Sequence, residues 1–248
     1  MIKKILLGLL IAKSLVFGGE ISVCAASDLK FALDEIVKNY ETKNKDEKVK
    51  VSYGSSGKFT TQILNGAPYQ LFFAANIEYP QRLKAAGQTS GEIKPYAIGR
   101  LALVAQKGRL DTKKGLEILR TAQINKFSIA NPEHAPYGKA AVEILQNSKI
   151  YDFVKTKFVL GENIQQATNF VLSGAAEGGI IAYSLLLSPG VGEKLDSYLI
   201  PTSLHKEMKQ AYVVTKQGEH SLSVKKFIAF FEGKEADTIM KKYGFALE

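Results

Sequence analysis

The sequence is poor in the residues that usually hold metals or covalent cross-links. It has one cysteine, three histidines and no tryptophan among 248 residues. One cysteine excludes an internal disulfide framework. No cysteine, histidine or paired acid lies at metal-ligand spacing from His205 or His220, so a zinc-type site has no support. We therefore expect no cofactor and no bound metal cation.

The single cysteine, Cys24, has two interpretations. The segment Ile21-Ser22-Val23-Cys24 loosely resembles a lipid-attachment site, but Val23 is large for the cleaved position and Glu20 is charged where apolar residues are required. A buried thiol in a strand is the favoured interpretation.

Long apolar runs are also scarce, and the longest is at the N-terminus. Lys3 and Lys4 precede an apolar stretch that continues to Phe17, interrupted by Lys13, and small residues follow. The run is too short for a membrane anchor and is typical of a secretory signal. We expect a signal peptide over residues 1–18, cleaved near Gly18, and a periplasmic protein.

Charge is not concentrated anywhere in the chain. The formal net charge is +9, and it falls to +6 if Lys3, Lys4 and Lys13 are removed with the signal. No block of five or six like charges occurs, which argues against a nucleic-acid surface. We expect a monomer that binds no nucleic acid and has a mild preference for anions.

Short apolar segments alternate with helical patterns along the rest of the chain. Residues 21–25, 49–53, 71–75 and 97–105 have strand character, and segments with helical spacing follow them. This alternation predicts an α/β fold with mixed sheets flanked by helices. If the chain forms two lobes, the crossings are expected at 97–105 and 211–215. The first lobe would then comprise 19–100 with a return segment 209–248, and the second 101–208.

The segment VSYGSSGKFTTQI, residues 51–63, predicts a strand, a glycine-serine turn and a helix that begins near Ser56. Unpaired N–H groups at a helix start favour anions. The segment is not a nucleotide P-loop, because Ser52 stands where the first glycine is required and Phe59 follows Gly57-Lys58. A capped surface helix without a ligand is the alternative.

Four strand-to-helix turns share a polar character with few acids. They contain Ser27, Ser56, Tyr137 and Ile164. Because ligands collect at the carboxyl ends of strands in such sheets, two hydroxyls and several backbone N–H groups could meet around one small anion. Fixed neutral donors suit a fully ionised tetrahedral oxyanion, whereas a protonated one would require an acceptor.

Over nearly its whole length after residue 18, the chain resembles the periplasmic molybdate-binding proteins of ABC transporters. The Pro-Glu-His-x-Pro-x-Gly segment is the most specific of the shared motifs. The segments that carry the resemblance are AASDL (25–29), YGSSGK (53–58), LFFAAN (71–76), ANPEHAPYGKAA (130–141), GENIQQA (161–167), GGIIAYS (178–184) and KKYGF (241–245).

The resemblance implies a two-lobed class II binding protein that closes on the anion and delivers it to an inner-membrane ABC permease. It implies ligand contacts through hydroxyl and amide of Ser27 and Ser56, and through the backbone N–H of Tyr137 and Ile164. It implies molybdate as the ligand, with tungstate nearly isostructural. A binding protein for another oxyanion, such as sulfate, is the alternative within the same class.

Two further candidate ligand residues, Tyr183 and Asp28, depart from the family pattern. Some members use a tyrosine hydroxyl from the segment matching GGIIAYS, but Ala182 occupies that slot and Tyr183 comes one place later, which reverses the side-chain direction on a strand. Asp28 stands where some relatives have an uncharged donor, and a carboxylate beside a dianion is costly. The favoured interpretation is that Asp28 caps its own helix and faces away from the ligand.

A secreted serine-dependent hydrolase or transferase is the alternative from another class. His134 could serve Ser27 or Ser56, but no Gly-x-Ser-x-Gly motif is present. A structural His134 that bonds the turn before the helix at 137 is favoured. We therefore expect a binding protein and not an enzyme.

Overall fold

The computed structural model describes residues 19–121 and 124–245. The predicted signal peptide, residues 1–18, lies outside the described residues. The strands are β1 (Glu20–Ala26), β2 (Lys48–Gly54), β3 (Leu71–Ala74), β4 (Thr89–Gly99), β5 (Leu101–Gln106), β6 (Phe127–Ala130), β7 (Phe158–Gly161), β8 (Gly178–Ala182), β9 (Leu195–Leu199) and β10 (Met208–Thr215). The helices are α1 (Lys30–Lys43), α2 (Ser56–Leu64), α3 (Glu78–Ala85), α4 (Ile118–Thr121), α5 (Pro136–Asn147), α6 (Tyr151–Val154), α7 (Ile164–Leu172), α8 (Tyr183–Leu186), α9 (Leu222–Phe231) and α10 (Lys234–Lys242). No helix within the described ranges is long and apolar enough to cross a membrane.

The strands form two mixed five-stranded sheets, which confirms the predicted fold class. The first sheet has the order β2-β1-β3-β10-β4, and the second has the order β7-β6-β8-β5-β9. In the first, β1 runs parallel to β2 and β3, and β10 is antiparallel to β3 and β4. In the second, β6 runs parallel to β7 and β8, and β5 is antiparallel to β8 and β9. Each sheet is the centre of one lobe.

The central strands are buried on both faces. Every residue of β3 is buried, and β1 is buried from Val23 to Ala26. Such near-continuous apolar runs are typical of strands covered by helices on both sides. Cys24 is fully buried in β1, where its thiol faces the Leu71 carbonyl, and burial raises its pKa. The expectation of a buried strand thiol is confirmed.

The chain crosses between the sheets at two places, of which the first lies within the predicted range 97–105 and the second differs from the prediction. The expected single strand 97–105 is divided at Arg100, so that β4 belongs to the first sheet and β5 to the second. All of β10, including 211–215, lies in the first sheet, and the return crossing runs through residues 200–207. Apolar residues on both sides of Arg100 conceal the change of sheet, because residues 97–99 and 101–105 are mostly buried.

The start of α5 is packed tightly against the end of β6. A Cβ added at Gly138 would lie 2.2 Å from the Ala130 carbonyl oxygen, which is backbone and cannot rotate away. We therefore expect Gly138→Ala to lower the free energy of unfolding by about 1–3 kcal/mol, although alanine is the better helix former. Urea unfolding measures this, with Gln146→Ala on the exposed side of α5 as the control. Equal stability of the two variants would contradict the close packing.

Candidate functional site

A small cavity lies where the first turns of several helices meet between the lobes. Its lining includes Ser27, Asp28, Ser56, Tyr137 and Ile164. The space between its lining atoms is about 180 Å³. This is far below the 300–1,000 Å³ typical of pockets for larger organic ligands. The cavity suits a ligand of a few atoms and excludes a nucleotide.

Two serine hydroxyls in the wall have their protons available for a ligand. The Ala75 N–H donates to Ser56 Oγ at 3.0 Å, and the Gln165 N–H donates to Ser27 Oγ at 3.4 Å. Both serines are buried, with exposed fractions of 0% and 1%. Since each oxygen already accepts a backbone hydrogen bond, each hydroxyl can donate its own proton into the cavity.

Helix starts supply further donors. Ser56 and Ile164 are the first residues of α2 and α7, and Tyr137 is the second residue of α5. N–H groups in a first turn have no partner inside their helix and carry partial positive charge. The prediction that a helix begins near Ser56 is confirmed, and Ser55 caps it by accepting from the Lys58 N–H.

The structure thus brings five of the six predicted site residues to one cavity and leaves Tyr183 out of its lining. Tyr183 begins α8, and its N–H donates to the Arg100 carbonyl at 2.9 Å. Its ring lies 5.4 Å from the Arg100 guanidinium and faces Gly244. The side chain therefore packs behind the site, beside the strand crossing.

Asp28 is among the residues that line the cavity, and the expectation that its side chain caps its helix is wrong, because no side-chain cap bond is present there. Its Oδ2 atom accepts hydrogen bonds from the Tyr137 hydroxyl at 2.9 Å and from Gln210 Nε2 at 2.7 Å. Burial raises the pKa of the carboxyl from 3.8 to about 6, although the bonds from Gln210 and Tyr137 favour the charged form. Sequence patterns gave no sign of Gln210, which is far away in the chain.

The two lobes contact each other directly beside the cavity. The Gly57 N–H donates to the His134 carbonyl at 3.0 Å, and Ser55 Oγ lies 3.0 Å from His134 Nδ1. The His134 side chain therefore bonds across the cleft. The expectation that it bonds the turn before its own helix is wrong. Burial and the nearby Lys58 ammonium lower the pKa of His134. These contacts define a closed cleft.

An ion pair between Lys58 and Glu162 also joins the lobes at the surface. Both side chains are about half exposed, at 50% and 53%. Exposed pairs contribute about 0–1 kcal/mol and are screened by salt. We expect Lys58→Ala to weaken ligand binding less than about fivefold, with a smaller effect at 0.5 M salt, in calorimetric titrations. A hundredfold loss of affinity would mean that this ion pair, and not the buried donors around the cavity, controls closure.

A family model described as bacterial extracellular solute-binding protein matches residues 21–246. The chain belongs to this family. Because the family is described by the binding of a solute, the cavity between the lobes of this solute-binding protein is its candidate ligand site.

Two relatives of this solute-binding protein are named molybdate-binding proteins. The molybdate-binding protein ModA of Azotobacter vinelandii is 32% identical over 230 residues, covering 92% of this chain and 90% of the relative. ModA of Rhodobacter capsulatus is 33% identical over 232 residues, covering 93% and 89%.

Solved structures of periplasmic binding proteins superpose on this chain. The Azotobacter vinelandii periplasmic molybdate-binding protein superposes with a TM-score of 0.84 at 28% identity, covering 92% of this chain and 99% of that one. The sulfate-binding protein SubI of Mycobacterium tuberculosis superposes with a TM-score of 0.74 at 15% identity, which shows the shared fold alone. The two-lobed architecture of this solute-binding protein is therefore that of periplasmic binding proteins.

Proposed function

We propose that this protein binds molybdate in the cavity between its lobes and delivers it to an ABC permease in the inner membrane. Tungstate, which has the same shape and charge, is the expected second ligand. The observation that carries the proposal is the convergence of Ser27, Ser56, Tyr137 and Ile164 on one small cavity. Its strongest support from comparison is the 32–33% identity to two proteins named ModA over most of the chain.

Each proposed ligand residue has a defined role. Ser27 and Ser56 donate their hydroxyl protons and backbone N–H groups, and Tyr137 and Ile164 donate backbone N–H groups. Neutral donors held by helix starts stabilise a dianion without a buried lysine or arginine. They also favour one ligand geometry, because a poorly fitting anion leaves buried donors unsatisfied. Molybdenum enters this site as an oxyanion and not as a free cation.

Closure is the step that would make binding tight. Gly57 and Ser55 on one lobe bond His134 on the other, directly beside the cavity. A closed cleft excludes water and strengthens each hydrogen bond to the ligand. Reopening would release the anion at the permease. The protein would act in the periplasm as a monomer, without nucleic acid, cofactor or catalysis of its own.

Equilibrium dialysis against sodium molybdate, followed by elemental analysis, tests this function. We expect one molybdenum atom retained per protein chain, competed by tungstate and not by sulfate. Retention that sulfate abolishes equally well would reassign the protein to sulfate. No retention together with steady hydrolysis of ester substrates would support the secreted hydrolase and overturn the binding proposal.

A further inference from the structure

Among the described residues, Asp28 is the one acidic residue in the lining of the cavity, and its carboxyl group is buried. Asp28 is 2% exposed, and both of its side-chain hydrogen bonds, from Tyr137 and Gln210, go to Oδ2. The other oxygen, Oδ1, is buried without a hydrogen-bond partner. The backbone N–H groups of Asp28 and Leu29 lie close enough to favour the charged form, but neither completes a hydrogen bond to Oδ1. A buried unpartnered oxygen requires an explanation.

The groups that face Asp28 are neutral. The Tyr137 hydroxyl faces it from α5, and Gln210 faces it from β10, where its side chain also accepts from the Tyr96 hydroxyl on β4. The Ser184 hydroxyl of α8 donates to the Asp28 main-chain oxygen. In the described part of the chain, no lysine, arginine or histidine is among the groups that act on the Asp28 pKa. Burial and the Asp28 charge raise the pKa of Tyr96 and Tyr137, which keeps both hydroxyls protonated.

A dianion in this cavity would therefore lie beside an uncompensated negative charge. Like charges in a buried site disfavour each other's ionised forms, and one of them then takes up a proton. Because Oδ2 already accepts two hydrogen bonds, Oδ1 is the atom that is free to receive that proton.

We propose that Asp28 takes up one proton from solvent when the cavity binds a fully ionised oxyanion, so that anion binding is proton-linked. The inference rests on the proposed function. In the bound state the Asp28 carboxylate becomes a carboxylic acid, with the new O–H bond on Oδ1, and the ligand remains a dianion. The uncompensated charge is removed, and the hydrogen bonds to Oδ2 are kept.

Linkage fixes the sign of the pH dependence. A group that gains a proton on binding makes the association constant fall as pH rises, by up to about tenfold per pH unit for one proton. Below the free-state pKa of the carboxyl, about 6, Asp28 is already protonated and the dependence fades. Affinity for molybdate is therefore expected to fall between pH 6.5 and 8.5 and to level off at lower pH.

Isothermal titration with sodium molybdate in two buffers of different ionisation enthalpy counts the protons directly. At pH 8 we expect nearly one proton taken up per molybdate bound, and at pH 6 a smaller number. Tight binding at both pH values without proton uptake would overturn the inference and leave the proposed function intact. No binding at either pH would overturn the proposed function itself.

Asp28→Asn identifies the group that takes up the proton. The amide oxygen can accept from Tyr137 and Gln210 as Oδ2 does, while the amide nitrogen replaces Oδ1. We expect proton uptake to disappear and the affinity to become independent of pH, with tighter binding than the unmodified protein at pH 8. Asp34→Asn, at an exposed carboxylate of the same lobe, is the control that keeps the uptake. Uptake that persists in folded Asp28→Asn would contradict the assignment, and if this variant does not fold, the unmodified protein still decides.

Discussion

Replacing Ser56 with alanine is expected to weaken molybdate binding by roughly 10- to 150-fold. The Ser56 hydroxyl accepts the Ala75 N–H and has its own proton free for the ligand. A hydrogen bond to a charged group is worth about 1.5–3 kcal/mol, which corresponds to that loss of affinity. Calorimetric titration of Ser56→Ala with molybdate measures it.

The control for Ser56→Ala is Thr61→Ala, which removes a hydroxyl from the exposed face of the same helix. The Ser56 variant also leaves the buried Ala75 N–H unpaired, so its unfolding must be measured and the titration made well below its melting temperature. If the folded Ser56→Ala protein binds molybdate as well as Thr61→Ala does, Ser56 is not a ligand residue.

Gly57→Ala is expected to lower the affinity for molybdate without lowering the stability of the free protein. A Cβ at Gly57 would lie 2.5 Å from the His134 carbonyl oxygen of the opposite lobe, which is backbone. The lobes could not approach as closely, and an overpacking cost of about 1–3 kcal/mol would lower affinity by roughly 5- to 150-fold. Gly57 lies within α2, where alanine stabilises a helix by up to about 1 kcal/mol relative to glycine.

The free Gly57→Ala protein should therefore melt no lower than the unmodified protein while its affinity falls. Thermal unfolding without ligand and calorimetry with ligand measure the two effects separately, and Thr61→Ala is again the control. Unchanged affinity would show that binding does not require the contact between Gly57 and His134. Loss of stability equal to the loss of affinity would show that the residue acts through its own lobe.

Local sequence signals were sufficient for the elements that carry the site. The glycine-serine turn before Ser56 predicted the start of α2, and Ile164 and Tyr137 lie in first turns as expected. These signals are local, because a turn composition and the helical spacing after it lie within about ten residues. The α/β class with mixed sheets followed from the same alternation, whereas the two-lobed arrangement was implied by the family resemblance.

Features that depend on contacts far apart in sequence were not predictable in this way. The strand division at Arg100 is concealed by apolar residues on both sides, and the edge strand β9 has only a weak apolar pattern. The hydrogen bond from Gln210 to Asp28 joins residues 182 positions apart. No local pattern distinguishes a carboxylate that caps its own helix from one that is buried against another strand.

At the centre of the proposal, neutral donors from Ser27, Ser56, Tyr137 and Ile164 select a tetrahedral oxyanion of one size, with Asp28 as the one acid among the described residues of the lining. A thermal-shift titration with molybdate, tungstate, sulfate and phosphate at equal ionic strength tests it most directly. Stabilisation grows with ligand concentration and reaches about 2.7 kcal/mol at 100 times the dissociation constant. We expect a large rise in melting temperature with molybdate and tungstate and little with sulfate or phosphate, because smaller anions leave some of the buried donors unsatisfied. No shift with any of the four, or an equal shift with phosphate, would contradict it.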